Sequence, residues 1–139
     1  MRVVLDTNVF VSAVFFSGPP HQILKAWRDG KIQLVVSPEI LEEYQRVGEI
    51  IAKQFPKVDL SPIIDLLAVE AKLVLPPSLP EPVCADPDDD KFLACALASK
   101  TKFVISGDNH LLNVSGYRGI KIVRPRKFVD EYLGKGTES

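Results

Sequence analysis

Acidic residues gather at four places along the chain: Asp6, directly after Val3-Val4-Leu5; Glu43, between Glu42 and Tyr44; the run Asp86-Pro87-Asp88-Asp89-Asp90; and Asp108, in Ser106-Gly107-Asp108. Carboxylates, helped by neutral oxygens such as those of Asn8 and Ser106, are hard donors that suit Mg²⁺ or Mn²⁺ and disfavour zinc or copper. Ions held this way organise phosphate chemistry by keeping an attacking water and a leaving oxygen in line, with two ions about 3.5–4 Å apart in the two-metal version. Hydrolysis of a phosphodiester is the natural reaction. It needs no side-chain base, because a metal-bound hydroxide is itself a nucleophile. His21 and His110 accordingly read as surface or helix-end residues. Cys84 and Cys95 form no CxxC pair and have no nearby His, which argues against zinc; Cys95, in Leu93-Ala94-Cys95-Ala96-Leu97, reads as a buried small apolar residue.

The elements that must position these acids follow from local pattern. Arg2–Leu5 is a β-branched, apolar run that reads as a buried strand, ending at a polar turn, Asp6-Thr7-Asn8. Helical apolar spacing over residues 20–29 is followed by Gly30, and residues 32–36 form a second strand. Ser37-Pro38-Glu39 then opens a helix with an N-cap, a proline in the first turn and an acid near the positive helix end. Ser61-Pro62 repeats the device for a helix through about Ala71, and residues 72–75 read as a third strand. Four prolines within residues 76–82 force an extended loop. Asp88 or Asp89 is expected to cap a helix through about Ser99. Residues 102–105 and 120–123 are the fourth and fifth strands, and a closing helix spans about 126–133, with Gly134 as its stop. Alternating strands and helices predict an α/β class fold, a three-layer α/β/α domain around a mainly parallel sheet.

In such sheets the ligand site lies beyond the carboxyl ends of the strands, where both Asp6 and Asp108 fall. One acid after one strand is ordinary turn chemistry, so the pair is only modest support for a site. The helix after strand two is more discriminating. Ile40, Tyr44, Val47 and Ile51 define its core stripe; Glu42 falls opposite, with Arg46 as a partner one turn on, while Glu43 lies about 60° from Ile40 on the apolar side. A carboxylate there needs a partner or a rim position. Four acids in residues 86–90 also exceed what capping requires, but the helix that follows is apolar nearly all round, so periodicity leaves open which of them enters the site.

The 139 residues, 46% hydrophobic and 25% charged, suffice for one domain with a full core, expected over residues 1–134 with a frayed tail at 135–139. No apolar run approaches the roughly 18 residues of a membrane span, and the start turns acidic too soon for a signal peptide, so a cytoplasmic protein is expected. A net charge of −1 excludes a globally basic nucleic-acid binder. Arg118, Lys121, Arg124, Arg126 and Lys127 form a local basic cluster that could hold a nucleic-acid strand, or equally line a solvated edge. Phe10, Phe15, Phe16 and Tyr117 could stack on bases but suit core or dimer contacts better. The apolar run Val9–Phe16 suggests a homodimer surface.

The series Leu5-Asp6-Thr7-Asn8-Val9, Glu43, Asp90-Lys91-Phe92-Leu93-Ala94-Cys95-Ala96 and Ser106-Gly107-Asp108 resembles the PIN-domain family of metal-dependent ribonucleases, over about residues 1–125. The resemblance implies an acidic pocket for one or two Mg²⁺ or Mn²⁺ ions. Asp6, Glu43, Asp90 and Asp108 would be its metal-binding, catalytic acids, with Thr7, Asn8 and Ser106 as supports and Asp86 and Asp88 extending the rim. It further implies hydrolysis of single-stranded RNA and favours a homodimer. The Asp86–Asp90 run is similar to that of a prokaryotic toxin-like subgroup, which implies an antitoxin protein as partner; the commonest toxin subgroup has Thr at the place of Ser106 and fewer acids before the helix. Competing readings are a phosphatase or phosphotransfer domain with Asp6 as nucleophile, a non-catalytic RNA- or protein-binding module, and a DNA-directed nuclease.

Overall fold

A computed structural model describes residues 1–133. Strand β1 (Arg2–Leu5) is followed by helices α1 (Thr7–Phe15) and α2 (Pro19–Arg28), strand β2 (Gln33–Val36), helices α3 (Pro38–Gln54) and α4 (Ser61–Glu70), and a two-residue strand β3 (Lys72–Leu73). A 3-10 turn (Pro87–Asp89) leads into α5 (Asp90–Ala98), then β4 (Phe103–Ile105), the single-turn α6 (Asn109–Leu112), β5 (Lys121–Val123) and α7 (Pro125–Phe128), which continues as a π-helical stretch to Leu133. Gly134 and the expected tail lie outside the described residues.

The five strands form one parallel sheet in the order β3-β2-β1-β4-β5, covered by helices as a three-layer α/β/α domain. Burial of both sheet faces explains the near-continuous apolar strands, with Val3, Val4, Val104 and Ile105 fully buried. The chain leaves β1 toward β2 and β3, then returns past β1 to add β4 and β5. The switch point of the sheet therefore lies between β1 and β4, which pair in the register Val3↔Phe103 to Leu5↔Ile105. Asp6 and Ser106 directly follow these two neighbouring strands, and the Asp6 N–H donates to the Ile105 carbonyl at 3.1 Å.

Several local expectations are corrected. Asp6-Thr7-Asn8 does not form a free turn. Asp6 caps α1, its Oδ1 accepting from the Val9 N–H at 2.8 Å, and the helix buries Val9, Phe10 and Ala13 against α2 and α3. Of the apolar run Val9–Phe16, Val9, Phe10 and Ala13 are core, Val11, Val14 and Phe15 are half-buried, and Phe16 is 68% exposed. Ser61 does not cap α4: it is the first helical residue, and Asp59 Oδ1 accepts its N–H. Asp89 occupies the N-cap position of α5, as expected, but makes no side-chain capping bond. Asp86 supplies it, accepting from the Asp88 N–H at 3.0 Å, and a 3-10 turn intervenes before α5. The closing helix begins one residue early, at Pro125.

Tyr44 ties the frame of the site together. Its ring stacks on Phe10 at 4.3 Å between centroids, and its hydroxyl donates to the Leu5 carbonyl at 2.6 Å, so α3 is fixed against the end of β1 one residue before Asp6. Full burial pushes the phenol well above its ordinary pKa, and the negative charges of Asp6 and Glu43 push the same way. It acts as a neutral donor.

Candidate metal centre

Asp6 is 4% exposed and both its oxygens are engaged, Oδ1 by the Val9 N–H and Oδ2 by the Ser106 hydroxyl. Burial raises its pKa, the Ser106 and Val9 hydrogen bonds oppose that rise, and the charges of Asp108 and Glu43 add to it. A buried carboxylate in this field calls for a nearby cation. Ser106, fully buried, also accepts the Asp108 N–H at 2.9 Å, so one hydroxyl links the acids that follow β1 and β4. Asp108 in turn caps α6 by accepting the His110 N–H at 2.9 Å. Sequence spacing and strand adjacency thus bring Asp6, Ser106 and Asp108 together at the switch point.

Glu43 arrives from α3 with its side chain 12% exposed, as a position beside the core stripe requires. The chain itself supplies the partner that this burial demands. Lys91, on the first turn of α5, lies 2.6 Å from Glu43 Oε1 and 3.0 Å from Asp88 Oδ1, while the Thr7 hydroxyl donates to Glu43 Oε2. Burial would depress the Lys91 pKa, but the hydrogen bonds to Glu43 and Asp88 outweigh it and hold the ammonium charged above its ordinary range. The same contact with Lys91 holds Asp88 below the usual carboxylate value. Arg46 also turns to Glu43, at 3.7 Å, rather than forming the expected pair with Glu42.

The acidic run divides three ways. Asp90 faces the loop before it, its oxygens accepting the N–H groups of Val83 at 3.2 Å and Cys84 at 2.8 Å. Asp88 belongs to Lys91. Asp89 has a side chain 15% exposed and an Oδ2 that is buried without a hydrogen-bond partner among the described residues. Burial, followed by the charges of Asp108 and Asp86, raises its pKa to about 6. His110 Nδ1 lies 3.7 Å from Asp89 Oδ2 and 3.9 Å from Asp108 Oδ1. Asp86, Asp89 and His110 can each offer one ligand atom, all within 4.8 Å of one another. An orphaned carboxylate oxygen among anions and a histidine nitrogen is what a divalent cation would satisfy, so the donor set fits such an ion.

Asn8 is exposed in the first turn of α1. The basic cluster does not gather on one face of the centre. Arg124, at the carboxyl end of β5, reaches the Gly107 carbonyl at 3.4 Å and Asn109 Oδ1 at 3.5 Å, beside Asp108. Lys121 begins that strand and so lies at the opposite edge of the sheet. Arg118 lies over the Tyr117 ring, 5.6 Å from its centroid, and Lys127 lies 3.8 Å from Glu131. Of the aromatics, Phe10 is core.

The PIN domain profile matches residues 2–110 of this chain, which span β1 through the Asp108 cap of α6. The chain belongs to the PIN-domain family. An uncharacterized protein of Methanocaldococcus jannaschii is 29% identical to it over 145 aligned positions, covering 95% of this chain and 92% of the relative. PIN domains are generally nucleases and typically use divalent metals. This PIN domain carries an acidic cluster in which Asp86, Asp89 and His110 lie close together. Among its described residues, no helix is long and apolar enough to cross a membrane.

Lys91, Asp89 and His110 are the parts of the centre that sequence reasoning passed over. A lysine one residue after an acidic run signals only an i, i+3 pair, here with Asp88. Its second partner, Glu43, is 48 residues away in sequence. Asp89 and His110 meet because α5 packs on β1 and β4 while α6 directly follows β4.

Proposed function

We propose that this PIN domain is an Mg²⁺- or Mn²⁺-dependent endoribonuclease that hydrolyses phosphodiester bonds of single-stranded RNA. The observation that carries the reading is the buried Asp89 Oδ2, without a partner among the described residues and set among Asp86, Asp108 and His110. Asp86, Asp89 and His110 would hold the ion, with Asp108 beside them and Asp6 tied to Asp108 through Ser106. The bound ion would supply an activated water and charge stabilisation for the phosphoryl oxygens. Ser106 orients Asp6 and Asp108 together, and the Asp6 cap fixes its carboxylate at the helix end. Glu43, Thr7 and Asp88 act through Lys91, and Asp90 pins the Val83-Cys84 loop that carries the run. Asn8, exposed beside Asp6, is available to water or substrate. Arg124 is the cation placed to meet a phosphate flanking the cut, with Arg126 and Lys127 on the turn after it.

The engagement of both Asp6 oxygens disfavours the nucleophile role that a phosphatase would require. The similarity of residues 86–90 to a toxin-like subgroup extends the proposal to growth arrest restrained by an antitoxin protein. The exposed Phe16 keeps a homodimer contact within it, checked by light scattering across a concentration series.

The test is cleavage of labelled single-stranded RNA, with single-stranded DNA alongside, by wild type and an Asp6→Asn/Asp108→Asn variant, in Mg²⁺, in Mn²⁺ and in EDTA. The expected result is RNA cleavage that requires metal and is lost in the variant. Equal activity of both proteins assigns the signal to a contaminant and defeats the reading; preferential DNA cleavage replaces its substrate.

A further inference from the structure

The acidic centre has two halves that differ in how their charge is met. On the Asp89 side, Asp86 and Asp108 crowd in with His110, and the buried Asp89 Oδ2 lacks a partner among the described residues. On the Glu43 side each oxygen is already satisfied, Oε2 by Thr7 and Oε1 by Lys91. The Lys91 side chain is 8% exposed and its three N–H donors have two carboxylates, Glu43 and Asp88, within 3.0 Å. A buried ammonium in that geometry is well compensated, and displacing it would strand a positive charge beneath α3 and α5.

We infer that Lys91 is a resident counter-cation of the centre: its ammonium fills the Glu43 side, so that a divalent ion is accommodated only on the Asp89 and Asp108 side. The inference rests on the metal-dependent reading above and sharpens it, making Glu43 a partner of Lys91 instead of a direct ligand. Lys91 is thus a positioning residue that sets how many ions the centre takes. Two divalent ions and a lysine ammonium within one carboxylate cluster would repel, whereas one ion and one ammonium on separate carboxylates lie farther apart. Removing the ammonium alone uncovers Glu43 and Asp88 as a second oxygen-donor set. Removing the ammonium and Glu43 together leaves the local charge unchanged.

The experiment is calorimetric titration of the metal-stripped full chain with Mn²⁺, with thermal midpoints recorded in parallel. Wild type and Lys91→Arg are expected to bind one ion per chain, and Lys91→Met two. The charge-conserving Glu43→Gln/Lys91→Met variant is expected to bind one ion, with a Kd within about threefold of wild type, since neutral replacement of a buried ion pair is often tolerated. That variant decides the matter if Lys91→Met does not fold. A wild type that binds two ions, a Lys91→Met protein that still binds one, or a double variant weakened about tenfold or more, the loss expected when a ligand is removed, overturns the inference. A wild type that binds no Mn²⁺ overturns both this inference and the metal-dependent reading, whereas two ions in wild type leave the latter standing.

Discussion

Replacing Asp89 by Asn should stabilise the metal-free protein while weakening its response to metal. Asp89 titrates near 6 in the folded chain against an ordinary value of 3.8, so ionising it in place is disfavoured by roughly 3 kcal/mol before solvent is considered. Water reaches the rim of the centre, and screening reduces the expected gain to about 1 kcal/mol. The sign follows from linkage. Because the folded state holds the proton more tightly, the stability associated with protonated Asp89 is fully present below about pH 3.8 and is lost as pH rises through about 6. Asn cannot ionise, and its amide can donate to the neighbouring carboxylates. Urea unfolding in EDTA should therefore show Asp89→Asn gaining about 1 kcal/mol over wild type at pH 7.5, relative to their difference at pH 4. Mn²⁺ at about 100 times its Kd should stabilise wild type by roughly 2.7 kcal/mol and the variant by much less. A variant destabilised at pH 7.5 relative to pH 4, or one stabilised by Mn²⁺ as strongly as wild type, refutes the assignment of Asp89 as the unsatisfied anion of the centre.

Ser106→Ala removes the hydroxyl shared by Asp6 and Asp108, which should cost about 1–3 kcal/mol at neutral pH and also weaken Mn²⁺ binding. Tyr44→Phe leaves the Leu5 carbonyl without its donor and should cost about 1 kcal/mol in denaturant unfolding, with Mn²⁺ stoichiometry unchanged. Arg124→Ala should leave Mn²⁺ affinity near that of wild type but weaken binding of single-stranded RNA in Ca²⁺ or at low metal, with a shallower salt dependence than wild type. Full metal removal should make the thermal midpoint insensitive to added EDTA, and Mn²⁺ should restore it more strongly at pH 7.5 than at pH 5, because below about pH 6 a proton competes for Asp89.

Much of the architecture is legible from local pattern because local forces determine it. The β-branched run Arg2–Leu5, the Ser37-Pro38-Glu39 helix start and the proline loop each carry their conformation within a few residues. The alternation of strands and helices dictates parallel pairing, and strand-end position alone marks Asp6 and Asp108. Helix α1 is the informative miss. Asp6-Thr7-Asn8 suits a turn and a helix N-terminus equally, and only burial of Val9, Phe10 and Ala13 against α2 and α3 selects the helix. The apolar run that follows, with no Gly or Pro before Gly18, was the available signal.

The charge arrangement of the centre was beyond one-dimensional reading. Helical angles alone establish that Glu43 needs a partner, because 100° per residue is a property of the helix itself. That the partner is Lys91 depends on α3 packing near α5 across 48 residues of sequence. The division of the acidic run into Asp90 on the loop, Asp88 on Lys91 and Asp89 at the centre depends on a 3-10 turn that rotates successive side chains differently from an α-helix. Sequence by itself determines which residues are acids, which elements carry them and which end of the sheet they reach. Tertiary structure alone decides which carboxylates find a counter-charge within the chain and which is left without one, because electrostatic and hydrogen-bond compensation depend on distances between elements that no local pattern encodes.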